Sequence, residues 1–221
     1  MFLAKVSGVL LFLTVVLLLI YVFGKKYHLH FEIQRKLLHI ALGLVSLSFP
    51  CVFESTFEVA LLMIVALLVL LVLQYTPILR RTLGESIYGV NRSWFGGGLF
   101  VASIITLFFL AHDNYVLYFG PLLTITFADA FAAIVGTQYG KKYYTLLGSN
   151  KSIEGTVTFF ITAFLAIFLL LIFMTSHSLL VITFISIVVA SVSTAAELFS
   201  GRDLDNITVP AVTFLALQYF L

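Results

Sequence analysis

An aspartate inside an apolar segment is the first residue of this chain that predicts chemistry. Asp129 is flanked on both sides by alanine and phenylalanine, and the next cation along the chain is Lys141. An acidic side chain within an apolar membrane helix is costly, so it predicts a functional site by default. A structural alternative stays open, in which Thr124 or Thr126 satisfies the carboxylate within the helix packing.

Small residues follow Asp129 and lead into a cluster of lysines. Gly136 and Gly140 are four residues apart, a spacing that places both on one face of a helix. Such a pair allows either close packing of two helices or close approach of the backbone to a phosphate or nucleotide at the helix end. The spacing by itself does not separate these two interpretations.

The segment after these glycines carries groups that suit a polyphosphate. Its candidate ligands are Lys141, Lys151, Ser152 and the backbone around Gly155, where a new helix is predicted to begin. Cations and the free N–H groups of a helix N-terminus attract anions. Lys151 and Ser152 resemble the end of a Walker A motif, but Asn150 occupies the position that requires glycine and no strand is predicted before it.

Glu154 lies within this segment, where a carboxylate next to phosphate needs an explanation. It could hold a metal ion, orient Lys151 or accept a proton during a reaction. It could also cap the following helix, because carboxylates are favoured in the first turn. The sequence leaves these alternatives open.

A second group of acids lies near the end of the chain. Asp203, Asp205 and Asn206 follow Glu197 within a few residues. Mg²⁺ is typically held by one or two carboxylates together with phosphate oxygens. Asp129 and Asp205 would form such a pair if the helices that carry them pack together, with Asp203 as a third candidate ligand. A solvated turn is the structural alternative, because Asp and Asn favour turns.

Arg35 and His39 form the candidate pair near the N-terminus. They are four residues apart and share a helix face, and His39 already lies in apolar sequence. An isolated histidine at a membrane interface is more often structural than functional. Arg35 is a candidate phosphate ligand, and His39 is a candidate proton acceptor that competes with Glu154.

The composition excludes most other classes of protein. Hydrophobic residues make up 62% of the 221 residues and charged residues only 10%, whereas soluble domains are about 25% charged. A net charge of +2 gives no basic face for nucleic acid. Cys51 is the only cysteine, which excludes an intrachain disulfide framework.

The elements that must position these residues are membrane-spanning helices, each needing about 20 apolar residues. We predict an all-α polytopic transmembrane helix bundle of seven or eight spans, with residues 1–221 forming a single integral-membrane domain. The first span lacks a small-residue cleavage site, so we expect a retained helix rather than a signal peptide. The predicted spans are about 2–23, 37–53, 57–79, 95–111, 115–137, 156–174, 179–199 and a marginal 207–221.

The cations predict the orientation of the chain in the membrane. All Lys and Arg residues except Lys5 fall in alternate loops, at about residues 24–36, 80–94, 138–155 and 200–206. Because short loops rich in Lys and Arg remain cytoplasmic, these loops and the candidate site are expected inside. The opposite loops carry Lys5 and acids such as Asp113. We expect a bacterial inner membrane, since no dedicated targeting segment is visible.

These segments, taken in order, resemble the CTP-dependent lipid kinase family, which includes dolichol kinase, phytol kinase and the CTP-using diacylglycerol kinase of fungi. The resemblance covers about residues 32–215. Its motifs are Arg35-Lys36-x-x-His39, Asp129-Ala-x-Ala132-x-x-x-Gly136-x-x-x-Gly140-Lys141, Lys151-Ser152-x-Glu154-Gly155-Thr156, Glu197 and Asp205-Asn206-x-x-x-Pro210.

The resemblance implies transfer of the γ-phosphate of CTP to the hydroxyl of a long-chain isoprenoid or related lipid alcohol, with Mg²⁺ as the metal. Asp129, Lys151, Glu154 and His39 would be catalytic, and Asp129, Asp205 and Asp203 would hold the metal. Nucleotide binding would involve Arg35, Gly136, Gly140, Lys141, Lys151, Ser152, Gly155 and Asn206. The expected partners are the lipid alcohol, CTP and membrane lipids, with no nucleic acid; the sequence does not predict an oligomeric state.

Two other functions stay open. A phosphatidate cytidylyltransferase would make CDP-diacylglycerol from CTP and phosphatidic acid at a similar site, although the Pro-Gly-His-Gly-Gly signature of those enzymes is absent here. An ion-coupled transporter would use Asp129 to bind a cation. Transporters commonly contain repeats and polar groups along a path across the membrane, whereas the polar residues here are predicted to collect on one side.

Overall fold

Helices form most of the computed structural model, which describes residues 2–76, 78–79, 95–111, 114–147, 149–201 and 203–221. The long helices are α1 (Phe2–Lys26), α2 (Phe31–Leu47), α4 (Thr56–Tyr75), α5 (Phe95–Ala111), α8 (Ile153–Met174), α9 (Leu179–Phe199) and α10 (Asp205–Phe220). The shorter elements are α3 (Phe49–Val52), α6 (Tyr115–Leu123), a π-helical segment (Thr124–Ala128), α7 (Asp129–Tyr139), β1 (Tyr143–Leu146) and β2 (Ser149–Ser152).

The prediction of an all-α polytopic helix bundle is confirmed. Six helical segments within the described residues are long and apolar enough to cross a membrane. The fourth predicted span is the shorter apolar helix α5, with 17 residues. The marginal eighth span corresponds to α10, which has 16 residues and is not among the six.

Capping residues explain where several helices begin and end. The second helix starts at Phe31, six residues before the predicted span, because His30 accepts a hydrogen bond from the Glu32 amide. Helix α4, which corresponds to the third predicted span, ends at Tyr75 rather than Leu79. Thr76 is extended, because a residue that precedes proline disfavours helical backbone.

The fifth predicted span is interrupted rather than being one regular helix. It consists of α6, the π segment and α7, with Pro121 in the last turn of α6. Proline lacks the N–H that a regular helix would use, and π turns occur frequently at functional sites. Asp129 is the first residue after the π segment, so the irregular turn lies directly beside the candidate acid.

A short β-hairpin lies between α7 and α8, in a loop that the sequence analysis had left without strands. Strands β1 and β2 pair in antiparallel fashion, with Tyr144 opposite Lys151 and Thr145 opposite Asn150. Thr145 Oγ1 also donates to Asn150 Oδ1 at 2.7 Å. The hairpin gives Lys151 a defined backbone position immediately before α8.

The chain divides into two units, residues 1–105 and residues 106–221. In the first unit, α1 packs against α2 and α4. In the second unit, α8 is central: it packs against α6, the π segment, α7 and α9, while α10 packs against α6 and α9. The fully buried face of α8 is formed by Phe159, Ala163, Ile167 and Leu171. The single domain predicted for residues 1–221 stays a prediction.

Some predictions concern residues outside the described ranges. These are the cations Arg80, Arg81, Arg92 and Arg202 and the acid Asp113. Because the predicted orientation depends partly on them, the cytoplasmic position of the basic loops stays a prediction.

Candidate active site

Four helix ends and the hairpin meet at one end of the second unit. Lys151 of β2 contacts Glu197 near the end of α9. Ser200, which follows α9, forms a hydroxyl pair with Thr208 of α10. The end of α7 packs on the start of α8 at Gly136 and Gly155. Elements that are distant in sequence therefore bring their polar residues to the same end of this helical unit.

The two helices α7 and α8 approach closely at their glycines. A Cβ atom at Gly155 would lie 2.9 Å from the carbonyl oxygen of Ala132, and one at Gly136 would lie 2.9 Å from Ser152 Oγ. A Cβ atom at Gly140 would lie 2.6 Å from the hydroxyl of Tyr143. The contacts of Gly136 and Gly155 support the helix-packing interpretation, whereas the neighbour of Gly140 is Tyr143 of β1. The predicted role of Gly136, Gly140 and Gly155 in nucleotide binding stays a prediction.

Ser152 caps the N-terminus of α8. Its Oγ accepts a hydrogen bond from the Gly155 amide at 3.1 Å, and the residue is buried. Within the described residues this oxygen serves only as an acceptor, so the Ser152 O–H is still able to donate to a ligand. Thr156 Oγ1 donates to the Ser152 carbonyl and also pairs with the Tyr144 hydroxyl at 2.5 Å, which ties the hairpin to α8.

Glu154 joins the first turn of α8 to the chain that leaves α7. Its carboxylate interacts with the backbone N–H groups of Lys141 and Lys142 and with its own N–H group. Its Oε2 atom is buried and has no hydrogen-bond partner within the described residues. The interaction with its own amide agrees with the capping alternative, and the other two amides belong to the segment that follows α7.

Lys151 forms an ion pair with Glu197 that sequence reasoning missed. The Nζ atom lies 2.7 Å from Glu197 Oε1 and also donates to the Glu197 backbone carbonyl. The two side chains are only 13% and 12% exposed. The sequence offered one indication of a distant partner. Glu197 lies in the last turn of an apolar helix that contains no Lys or Arg with which it could pair. The structure therefore assigns the contact with Lys151 to Glu197 and not to Glu154.

Asp203, Asp205 and Asn206 form the turn that begins α10. Asp203 has a left-handed backbone (φ 68°), a conformation that aspartate tolerates better than most residues. Asp205 Oδ1 accepts from the Asn206 amide at 2.9 Å, and Asn206 Nδ2 donates to the Asp203 carbonyl at 3.4 Å. The turn expected under the structural alternative is present. The metal-binding role of the two aspartates and the nucleotide-binding role of Asn206 stay predictions.

Asp129 is buried at the start of α7, with 6% exposure. Thr124 donates to the Gly120 carbonyl, and Thr126 Oγ1 has no partner within the described residues. Neither threonine therefore satisfies the Asp129 carboxylate, as the structural alternative had required. Asp129 is one helical turn from Ala132, the residue that contacts Gly155 on α8.

A Mg²⁺ site formed by the described carboxylates would also need phosphate oxygens as ligands. No group of three His, Cys, Asp or Glu side chains within the described ranges is arranged to hold a metal ion. Mg²⁺ commonly takes one or two carboxylates and completes its octahedron with phosphate oxygens and water. Helix α10, which begins at Asp205, contacts the π segment that directly precedes Asp129, and the role of these two aspartates in metal binding stays a prediction.

Arg35 and His39 belong to the first unit. Arg35 pairs with Glu32, with its Nη2 atom 2.5 Å from Glu32 Oε1. His39 is buried, and its ring centroid lies 4.4 Å from that of Phe100. These contacts give both side chains a defined local setting. Their predicted roles toward a nucleotide or a proton stay predictions.

Comparison with known proteins gives one relevant similarity. No family model and no solved structure matches the chain. A phytol kinase from Synechocystis sp. is 34% identical over 89 residues, which is 40% of this chain and 38% of that protein. The similarity supports a relationship to lipid kinases. Because it spans well under half of the relative's length, the activity of the whole chain is a matter for proposal.

Proposed function

We propose that this protein is a membrane-embedded kinase that transfers the γ-phosphate of CTP to the hydroxyl of a lipid alcohol of the polyprenol, dolichol or phytol type. The observation that carries the proposal is the meeting of Lys151, Glu197 and the start of α10 at one end of a unit built from apolar helices. The similarity to a phytol kinase supports a lipid alcohol as acceptor. The choice of CTP rests on the family resemblance of the sequence motifs.

The residues at this end of the unit suit phosphoryl transfer, which depends on positioning and charge neutralisation more than on covalent chemistry. Lys151 and Lys141 would neutralise charge that develops on the phosphates. Preorganised groups of this kind lower the activation barrier by several kcal/mol, and each donor raises the rate on the order of 10²–10³-fold. Lys151 is well prepared for this role because Glu197 already holds it.

Several neutral groups would bind the nucleotide. The Ser152 O–H and the first amides of α8 near Gly155 would donate to phosphate oxygens, as helix N-termini commonly do. Asn206 and Arg35 are the other proposed ligands. Capping of α8 and phosphate binding by Ser152 are compatible, since the cap uses the Ser152 oxygen as an acceptor.

Asp129 and Asp205 would hold Mg²⁺, with Asp203 nearby in the same turn. The bound metal would neutralise phosphate charge and help to align the lipid hydroxyl with the phosphate that is transferred. Glu154 or His39 would accept the proton of the lipid hydroxyl, a contribution of about 10²–10⁴-fold when such a base acts. The lipid chain would lie along the apolar helices, so only its hydroxyl has to reach the polar end.

The proposed location is a bacterial inner membrane with the site at the cytoplasmic face. The basis is the positive-inside distribution of cations in the sequence.

The test is a transfer assay with purified protein in detergent, γ-labelled CTP, Mg²⁺ and three acceptors: phytol, polyprenol and diacylglycerol. We expect a labelled lipid phosphate and CDP, and a loss of about a hundredfold or more in Asp129→Asn and Lys151→Ala. Lys142→Ala is the matched control, because this lysine is exposed and only its backbone contacts the site. Full activity in both site variants would contradict the assignment.

The same preparation separates the alternative functions by their products. Release of pyrophosphate with formation of a CDP-lipid from phosphatidic acid would indicate a cytidylyltransferase. A ligand that binds only the folded state raises its apparent stability. CTP with Mg²⁺ should therefore raise the melting temperature of a kinase. An ion-coupled transporter would show no such effect.

A further inference from the structure

The ammonium group of Lys151 is held by two acceptors from a single residue. Both the Glu197 carboxylate and the Glu197 backbone carbonyl accept from its Nζ atom, although the two residues are 46 positions apart. Within the described residues these are the contacts of the ammonium. Because an ammonium has three N–H donors, one donor remains for a ligand.

The position of Lys151 is fixed from both ends of its side chain. Its backbone lies in β2, paired with Tyr144, and its ammonium lies against the last turn of α9. A free lysine side chain has many rotamers, so this arrangement removes most of the freedom that a catalytic cation would otherwise lose on binding.

Glu197 also connects Lys151 to α10, the helix that begins at Asp205. Ser200, one turn after Glu197, pairs with Thr208 of α10. Deeper in the unit, Ser193 pairs with Thr213 at 2.8 Å, so α9 and α10 are joined at two levels. The pair of Lys151 and Glu197 therefore places the hairpin cation against the helix end that is linked to the turn of Asp205 and Asn206.

A role in stability alone is the competing explanation. Lysine side chains commonly bind the last carbonyls of a helix, and a buried lysine without a partner is costly. That explanation accounts for the bond to the Glu197 carbonyl, which any residue at this position would provide. It also accounts for the carboxylate oxygen at 2.7 Å, because a buried ammonium needs a counter-charge. The two explanations therefore differ in their expected effects on kcat and on the melting temperature.

We propose that Glu197 is a positioning residue for Lys151: it holds the ammonium so that its remaining N–H faces the terminal phosphates of the nucleotide. This inference rests on the proposed kinase function. Glu197 itself does not touch the substrate, and it acts by keeping Lys151 aligned as the phosphoryl group moves. Removing its charge should therefore affect the transition state more than nucleotide binding.

The kinetic test compares Glu197→Gln and Glu197→Asp with Ser191→Ala, a control at an exposed site of the same helix. We expect Glu197→Gln to lower kcat at least about tenfold, with a much smaller change in the KM for CTP, because an interaction needed only in the transition state lowers kcat. Glu197→Asp keeps the charge and should recover part of this loss. Ser191→Ala should behave as the wild type.

A second measurement reports the pair without any turnover. Acetylation by a limiting amine-reactive reagent, followed by peptide mass spectrometry, measures the accessibility of each lysine. Lys151 should be labelled less than the exposed Lys142 in the wild type, and severalfold more in Glu197→Gln. The labelling of Lys142 should not change.

The outcomes separate this inference from the proposed function. If the wild type phosphorylates no acceptor with any nucleotide, the kinase function and the positioning role both fail. If the wild type is active and Glu197→Gln keeps its kcat, the positioning role alone is overturned. If Glu197→Gln lowers both kcat and the melting temperature, and Glu197→Asp recovers neither, the positioning role is also overturned in favour of a structural pair.

Discussion

Two apolar segments of equal length, α1 and residues 115–139, have opposite surroundings. Each has 25 residues. In α1, 6% of the most apolar window is buried, compared with 56% in Tyr115–Tyr139. The more exposed segment is the more apolar one, because lipid accepts only apolar side chains, whereas a protein interior tolerates polar groups that find partners. Within its own unit, the segment that carries Asp129 is therefore largely surrounded by other helices, whereas α1 exposes most of its surface.

The largest expected difference between these segments comes from removing side-chain volume. Leu122 is fully buried in α6, whereas Leu11 of α1 is 67% exposed. Leu122→Ala should lower the free energy of unfolding by roughly 2–5 kcal/mol through loss of contacts and a residual cavity. Leu11→Ala should change it little. Denaturation by SDS in mixed micelles measures both, and equal losses would contradict the contrast.

A smaller difference should follow from adding volume at a glycine. Gly136 lies against Ser152, whereas a Cβ atom at Gly8 of α1 would meet nothing within 4 Å. Gly136→Leu should destabilise by about 1–3 kcal/mol, because a well-packed contact has to open. Gly8→Leu should be neutral or slightly stabilising, since glycine is a poor helix former. Melting temperatures in detergent provide the comparison. Tolerance of leucine at Gly136 would show that α7 and α8 do not approach closely.

The smallest expected effect concerns two threonines. Thr126 Oγ1 is buried and has no hydrogen-bond partner within the described residues, whereas Thr14 of α1 donates to the Leu10 carbonyl. Thr126→Val should be neutral or stabilising by about 1 kcal/mol or less, because it removes an unpaired buried hydroxyl. Thr14→Val should be close to neutral. A clear loss of stability in Thr126→Val would reveal a partner for this hydroxyl, such as bound water.

Much of the candidate site follows from local sequence. The position of Asp129 in apolar sequence predicts a buried acid, and the structure confirms that it is buried. A helix was predicted to begin near Gly155, and α8 begins at Ile153 with Ser152, a residue type favoured at N-caps, as its cap. The turn at Asp203 and Asp205 also follows from residue preferences. In each case the decisive interactions lie within a few residues.

Other features were not predictable from local sequence. The contact between Lys151 and Glu197 joins a strand to a helix that lies 46 residues further on. The π segment before Asp129, which contacts α6, α7, α8 and α10, was not predicted from its sequence. The spacing of Gly136 and Gly140 left packing and phosphate binding equally open, and the position of Gly155 on α8 supports packing.

The sequence by itself determined that this chain is a polytopic helical membrane protein with a few polar residues to be explained. Composition and hydrophobic length suffice for that, because a bilayer admits only segments whose backbone groups bond internally. The tertiary structure alone decided which polar groups meet. That choice depends on helix packing, where glycine contacts and buried ion pairs select among many arrangements that the same apolar sequence would allow.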